Sequence, residues 1–236
     1  MTRQPNILCI ETSGGNGSVA LQSAQQVFRS EIRTPRSQTE KLLSHIDRLL
    51  GDAGIDLRRL DAISFGCGPG SFIGVRLAGA VAQGLAVAAR VGLAPVSSMA
   101  ALAGQVMLNA ASGTIASRRA LVCLDARMGE VYWADYSRES DGGIPGTSAE
   151  RLLRPEDVAW PAGSPGAAVG SGFAEYPALA AAALERGYRV APSEQPRAED
   201  LLPFARAALE SAQLIAPERW RIEYLRDETA WRALEH

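Results

Sequence analysis

The apolar and polar positions of the first half of the chain predict a three-strand meander followed by alternating helices and strands. Such an order is typical of an α/β unit with helices packed on a sheet. The predicted strands are Asn6–Glu11, Ser18–Gln22, Gln26–Thr34, Ala62–Cys67 and Leu93–Val96, and the predicted helices are Ser37–Leu50, Ser71–Ala89 and Ser98–Leu108.

Two of these helices carry clear start signals. Ser37 with Glu40 three residues later has the spacing of a capping box, and Ser71 is a favoured N-cap residue after a glycine-rich turn. The first helix is expected to bury one apolar stripe, formed by Leu42, Leu43, Ile46, Leu49 and Leu50.

A second unit is predicted to begin near Arg119. Its expected elements are strands at Ala120–Asp125 and Glu130–Ser137 joined as a hairpin, a loop at Asp141–Ser148, a strand at Ala167–Ser171, a helix at Pro177–Arg186, a strand at Tyr188–Ala191 and a helix at Ala198–Ala212. We therefore expect an N-terminal lobe at 1–108 and a C-terminal lobe at 109–236. The tail from about residue 218 is expected to pack back on the first lobe.

Composition excludes several kinds of chemistry. The 236 residues are 47% hydrophobic and 21% charged, which is ordinary for a globular protein. Only two histidines, His45 and His236, and one lysine, Lys41, are present, so neither a histidine-rich metal site nor a Walker-type P-loop can be assembled. A net charge of −2 does not favour tight RNA binding by this chain alone. Three scattered cysteines indicate buried thiols in a reducing cytoplasm, and no apolar run is expected to span a membrane.

Two glycine-rich segments could hold a phosphate group. Glu11–Ser18 offers backbone amides and hydroxyls in a turn between strands, and Gly66–Gly74 leads into the N-terminus of a helix. The candidate nucleotide-site residues are Thr12, Ser13, Gly68, Gly70, Ser71 and Asp125. The simpler interpretation, a hairpin loop and a capped tight turn, accounts for both segments as well. No base accompanies Ser71, so it is not expected to be a nucleophile.

The helix at Ser71–Ala89 is apolar on almost all sides. Gly74, Ala78, Ala82 and Ala86 recur every fourth residue and form a smooth ridge. Such a helix must be covered on both sides. It is either a central core helix, which the pattern alone favours, or a helix whose second cover is a partner protein.

Four stretches of the chain together resemble one protein family. ILCIETSGGNGSVAL, FGCGPGSFIGVRLAGAVAQGLAVA, LVCLDARMGEVYWADY and YLRDETAW are similar to the TsaB (YeaZ) proteins of bacteria, over residues from about 6 to about 231. The resemblance implies an α/β protein made of two ribonuclease-H-like lobes of the actin-like ATPase (ASKHA) fold. It also implies a role in making N6-threonylcarbamoyladenosine at position 37 of tRNAs that read codons beginning with A.

In that pathway, the resemblance implies a non-catalytic chain that scaffolds or activates the paralogous transferase TsaD. It further implies TsaE as the third component of the complex, a homodimer when the chain is alone, only indirect contact with tRNA, and no metal or other cofactor. The family's contacts use the first two helices, which gives the partner-interface candidates Thr39, Leu42, Ile46, Gly74, Arg76, Ala78, Gly79, Ala82 and Gln83.

Three residues depart from the family's usual pattern. Glu11 stands where relatives commonly have Asp, Ile73 replaces a Thr, and Gln38 replaces a histidine. The first two changes argue against ATP or ADP binding. Two alternatives to a partner protein stay open: an ATP-using enzyme of the actin-like fold, and a glycoprotease, for which no base or metal site is evident.

Overall fold

The computed structural model describes residues 3–33, 35–108, 117–138, 145–147, 149–191 and 194–222. They form two compact units, each built around its own sheet. The first unit contains the described residues of Met1–Ala101 and Pro196–Ile222, and the second contains those of Leu102–Gln195. The α/β class is confirmed. The division differs from the predicted lobes at 1–108 and 109–236 in two respects. The first boundary lies between Ala101 and Leu102, and residues 196–222 return to the first unit.

The first sheet has five strands, and the predicted meander is confirmed as its antiparallel half. Its strands are β1 (Ile7–Glu11), β2 (Gly17–Ser23), β3 (Gln26–Ile32), β4 (Ala62–Gly66) and β5 (Gly92–Val96). Their order is β3–β2–β1–β4–β5, with β4 parallel to β1 and β5 parallel to β4. The central β1 and β4 are buried along their whole length, as expected of strands covered on both faces.

The second sheet has six strands. They are β6 (Arg119–Arg127), β7 (Glu130–Ser137), β8 (Gly146–Thr147), β9 (Arg151–Leu153), β10 (Ala167–Val169) and β11 (Arg189–Ala191). The order is β11–β10–β6–β7–β8, and β9 also pairs with β7. The predicted β6–β7 hairpin is confirmed, with a bulge between Asp125 and Arg127. Most of the predicted loop at Asp141–Ser148 lies outside the described residues, but Gly146–Thr147 forms β8 instead.

The helices are α1 (Pro35–Asp52), α2 (Phe72–Ala89), α3 (Ser98–Leu108), α4 (Gly172–Glu175), α5 (Pro177–Glu185) and α6 (Leu202–Glu210). In the first unit, α1 and α2 cover one face of the sheet. A 3-10 turn at Ala198–Leu201 and α6 cover the other face. The first unit is therefore a three-layer sandwich, and its second cover comes from the segment that returns after the second unit.

Three helix predictions need correction. Helix α1 begins at Pro35, so Ser37 lies inside it and is not the N-cap. Leu43 is 57% exposed and does not belong to the buried stripe, whereas Leu42, Ile46, Leu49 and Leu50 do. The predicted helix at Ala198–Ala212 is instead the 3-10 turn followed by α6, whose first turn contains Pro203.

Helix α2 bears on the expectation that no apolar run spans a membrane, which stays a prediction. Among the described residues it is the one helix long and apolar enough to do so by length and composition. Its inner side chains pack in the core of the first unit, which is the ordinary reason for such a helix in a sheet protein.

Candidate functional site

The inner face of α2 is buried within its own unit. Ala78, Ala82 and Ala86 are fully buried and pack in the core beneath the sheet. At Gly74, a Cβ would lie 1.9 Å from the backbone oxygen of Thr12, so only glycine fits there. The ridge of small residues therefore seats the helix on its sheet.

Most of the predicted partner-interface residues are buried for the same reason. Leu42 and Ile46 of α1 and Gly74, Ala78, Gly79 and Ala82 of α2 lie inside the first unit. They offer no surface to another protein, and the prediction of direct contact is corrected for them. Thr39 is exposed, and Arg76 and Gln83 are half-exposed, so their interface role stays a prediction.

One flank of α2 is held by the segment Leu214–Trp220, which we call the strap. Ile215 pairs with Leu93 of β5 through two backbone hydrogen bonds of 2.8 and 2.9 Å. The Gln83 Nε2 donates to the Pro217 oxygen at 2.7 Å. The Trp220 ring fills the space beside Gly79, where a Cβ would meet the ring at 2.2 Å. Gln83 therefore binds the strap in this structure.

The outward face of α2 carries an apolar stripe. Ile73, Leu77, Ala80, Gly84 and Val87 follow one another at spacings of four and three residues, and we call this set the outer stripe. Ile73 is 70% exposed and Val87 is 63% exposed, which is unusual for large apolar side chains. Sequence reasoning missed this stripe, although its 4-3-4-3 spacing is a signal of helix–helix contact.

Gly84 lies within the outer stripe, and no contact among the described residues requires a glycine at this position. Apart from its chain neighbours and the nearby backbone of α2 itself, no atom of the described residues lies within 4 Å of the place where its Cβ would be. A glycine in a helix interior costs about 1 kcal/mol relative to alanine. A small residue on an exposed helix face permits another backbone to approach closely.

Two further apolar side chains are exposed on the first two helices. Phe72 at the start of α2 is 54% exposed and lies under the Arg76 guanidinium, 3.2 Å from the ring centroid. Leu43 projects from α1. Exposed apolar side chains at this density mark contact surfaces more often than free surface.

The glycine-rich loop brings four of the candidate nucleotide-site residues together. The Thr12 hydroxyl donates to the Gly74 oxygen at 2.6 Å, and the Ser71 amide donates to the Ser13 oxygen at 2.8 Å. Ser71 caps α2 by accepting from the Gly74 amide, as predicted. A Cβ at Gly70 would lie 2.7 Å from Ser13. These groups bind one another, so the loop packs against the helix start.

Glu11 occupies the centre of this loop. Its carboxylate is fully buried and accepts from the Ser13 amide at 2.6 Å and from the Ser98 hydroxyl at 3.0 Å. A Cβ at Gly66 would lie 1.9 Å from its Oε2. Burial raises the pKa of the Glu11 carboxyl, and the hydrogen bonds from Ser13 and Ser98 oppose that rise. The carboxylate points into the protein and accepts from the Ser13 amide, so this amide is already engaged and is not available to a phosphate.

The remaining two candidates are placed differently. Gly68 has a φ of +94° and accepts from the Ser98 amide, a turn role that glycine fills without strain. Asp125 lies in the second unit, where its carboxylate binds the Arg127 amide at 2.9 Å and the Arg127 guanidinium at 3.0 Å. Within the described part of the chain, no group of three or more histidine, cysteine, aspartate or glutamate residues could hold a metal ion.

Comparison with known proteins identifies relatives along nearly the whole chain. Residues 32–163 match the model of the TsaD family, described as tRNA N6-adenosine threonylcarbamoyltransferase. The tRNA threonylcarbamoyladenosine biosynthesis protein TsaB of Escherichia coli is 35% identical over 97% of this chain and 97% of its own length. The corresponding protein of Haemophilus influenzae is 31% identical over 97% of this chain and 96% of its own.

Solved structures agree with the sequence relatives. A Pseudomonas aeruginosa protein described as similar to the peptidase YeaZ superposes with a TM-score of 0.81 at 33% identity, over 94% of this chain and all of that one. YeaZ from the same organism superposes with a TM-score of 0.79 at 31% identity and the same coverage. The prediction of two ribonuclease-H-like lobes of the actin-like fold is confirmed.

Proposed function

The chain belongs to the TsaB (YeaZ) family of tRNA threonylcarbamoyladenosine biosynthesis proteins, and we propose that within this pathway it is the non-catalytic partner of TsaD. The product is N6-threonylcarbamoyladenosine at position 37 of tRNAs that read codons beginning with A. The observation that carries the proposal is the outer stripe of α2, in which Ile73, Ala80, Gly84 and Val87 are exposed and Leu77 alone packs partly against the core of its own unit.

The glycine-rich loop supports a role without catalysis. The loop groups that would bind a phosphate are bonded to Glu11 and to α2 instead. His45, the one histidine among the described residues, is half-buried and shares a hydrogen bond with Ser30 through its Nδ1. This histidine is therefore engaged by Ser30 and does not lie in the glycine-rich loop, where a base would have to act on a bound phosphoryl group.

The shape of the outer stripe supports a helix as the partner element. Ala80 and Gly84 are small and central, and the larger Ile73 and Val87 stand at the two ends. A facing helix could approach closely at Ala80 and Gly84 and pack against the side chains of Ile73 and Val87 at the two ends. Under this proposal TsaD covers the stripe in the complex, a second copy covers it when the chain is alone, and TsaE joins as the third component. Contact with tRNA is then made through TsaD.

A transfer assay tests the proposal. Threonylcarbamoyl adenylate and unmodified tRNA are incubated with TsaD alone, with this chain alone and with both. We expect modification only with both proteins present, and full activity with TsaD alone would refute the proposal. Transfer by this chain alone would instead show a catalytic site in it.

ATP binding separates the proposal from the enzyme alternative. Calorimetry of this chain with ATP and Mg²⁺ is expected to show no heat of binding. Micromolar affinity would favour an ATP-using enzyme of the actin-like fold.

A further inference from the structure

Helix α2 has apolar residues on nearly every side, so burial alone does not determine how it is rotated about its axis. Ala78 and Ala82 face the core, while Ile73 and Val87 face outward. Rolling the helix by one residue, about 100°, would still place apolar side chains on the sheet. An amphipathic helix avoids this ambiguity because its polar face cannot be buried. In α2, the small residues Ala78, Ala82 and Ala86 allow close approach to the sheet, and specific contacts on the flanks must complete the choice of rotation.

One such contact fixes only the first turn. The Thr12 hydroxyl donates to the Gly74 oxygen, and the Thr12 backbone occupies the space beside the Gly74 Cα. The rest of the helix extends four turns beyond this point.

The strap supplies the contacts in the middle of the helix. Gly79 and Gln83 are one turn apart on the flank next to the outer stripe, and both meet the strap. The Trp220 ring lies on Gly79 and stands edge-on against Phe65 of β4, with ring centroids 4.8 Å apart. The strap is itself tied to β5 by the two hydrogen bonds between Leu93 and Ile215. The contact of Phe65 with Trp220 and that of Trp220 with Gly79 therefore connect the sheet to one side of α2.

We propose that the strap sets the rotation of α2 and so selects which residues form the outer stripe, with Trp220 as the positioning residue. In this arrangement only glycine at position 79 admits the ring, and Gln83 is the polar group that makes one flank of the helix distinct. The link to TsaD rests on the proposed function, but the link between Trp220 and the rotation of α2 does not.

A distance measurement between spin labels tests the rotation directly. Labels are placed at Asp47→Cys on α1 and Ala80→Cys on the outer stripe, both exposed positions of the first unit. Cys67→Ala removes the half-buried thiol, while Cys9 and Cys123 are buried. We expect one narrow distance distribution in this background. Adding Trp220→Ala should shift or broaden it by about 5 Å, the scale on which a rolled helix carries a side-chain tip.

Two further variants keep the test decisive. Gln83→Leu removes the hydrogen bond to Pro217 while leaving the ring in place, and it should broaden the distribution less than Trp220→Ala. Leu209→Ala truncates a side chain that packs on the opposite face of the sheet, and it serves as the control for lost stability. A distribution that stays narrow in both strap variants, or that broadens equally in Leu209→Ala, would overturn the proposal.

Binding to TsaD is measured by calorimetry on Trp220→Ala and Leu209→Ala made in the unlabelled parent chain, because a label at Ala80 would itself lie in the proposed contact. We expect affinity to fall at least tenfold in Trp220→Ala and to stay within twofold in Leu209→Ala. Lost affinity with an unchanged distance distribution would mean that Trp220 touches TsaD itself, which overturns the positioning role and leaves the proposed function intact. If even the unaltered chain does not bind TsaD, the proposed function fails, and the label distances still decide the role of the strap.

Discussion

The two faces of α2 contain the same kinds of residues for different reasons. On the inner face, Gly74 is required because the Thr12 backbone occupies the space of a side chain. On the outer face, Gly84 has open space around it. A small residue on a helix therefore indicates a close neighbour, but only the structure shows whether that neighbour belongs to the same chain. Under the proposed function, the neighbour of Gly84 is TsaD.

Two arginine substitutions, at positions 78 and 80, should show the largest difference between the inner and outer faces of α2, in stability and in TsaD binding. Ala78→Arg places an unpaired charge in the core and is expected to cost more than about 4 kcal/mol of folding free energy, enough to prevent folding. Ala80→Arg is exposed and should change the unfolding free energy by less than about 0.5 kcal/mol while abolishing TsaD binding. Circular dichroism melts and calorimetry measure the two effects. A folded Ala78→Arg chain would show that the inner face is not as tightly packed as described.

Two glycine-to-alanine substitutions should have opposite signs. Gly74→Ala overlaps backbone atoms that cannot move away, and it is expected to destabilise the chain by about 2–3 kcal/mol. Gly84→Ala meets nothing and should stabilise the isolated chain by about 0.5–1 kcal/mol, yet weaken binding to TsaD by separating the helices. Urea titration gives the stability of each, and calorimetry gives the affinity. If Gly84→Ala binds TsaD as tightly as the parent chain does, a helix of TsaD does not approach α2 closely at the outer stripe.

pH should act on the interior of the first unit and not on the outer stripe, which has no ionisable residue. Asp200 is 3% exposed in the 3-10 turn, and burial raises its pKa to about 8 from 3.8, against a hydrogen bond from the Arg197 amide. The charges of Glu199 and Glu11 add to the rise, and that of Arg197 opposes it. The folded chain then holds a proton that the unfolded chain releases.

Stability should therefore fall as pH rises from about 4 to about 8 and level off above that range. Asp200→Asn keeps an acceptor for the Arg197 amide but cannot ionise, so its urea midpoint should vary less over this range. The slope that Asp200→Asn retains combines Glu11, whose pKa is also raised, with His45, whose pKa is lowered by burial and which acts in the opposite direction. Identical slopes in both proteins would refute the role of Asp200. Binding to TsaD should stay constant between pH 6 and 8.

The smallest effect is expected from a substitution at the start of α2. Ile73→Thr removes apolar area at one end of the outer stripe and should weaken TsaD binding by about 1 kcal/mol, or fivefold. Stability should change by less than about 0.5 kcal/mol, because Ile73 is 70% exposed. Val87→Ala at the other end is the matched comparison. Equal affinity in both variants and the parent chain would place the contact elsewhere.

Local signals in the sequence predicted most strands of both sheets, the β6–β7 hairpin and the Ser71 cap of α2. These features depend on a few neighbouring residues, and the period of apolar positions reports them directly. The start of α1 was wrong because a proline suits the first helical turn, and Pro35 lies two residues before the expected cap.

The orientation of α2 could not be predicted in the same way. Nearly every side of the helix is apolar, so the ridge that contains Ala78 could be recognised from its spacing, but not whether it faces its own sheet or a partner. The contacts that decide this come from far along the chain, since Gln83 and Pro217 are 134 residues apart. For the same reason, the sequence did not reveal that Gly79 is buried under Trp220, and six of the nine interface candidates are residues that the structure buries.

The return of residues 196–222 to the first unit has a consequence for synthesis on the ribosome. The sheet face that carries Ile7, Cys9 and Ala20 is covered by the 3-10 turn and α6, which leave the ribosome only after the whole second unit. Translation at about 5–20 residues per second leaves this face open for roughly 5–20 s. During that interval the nascent first unit is a two-layer intermediate with one apolar sheet face exposed. A chaperone that binds apolar surface could bind this face before the 3-10 turn and α6 cover it.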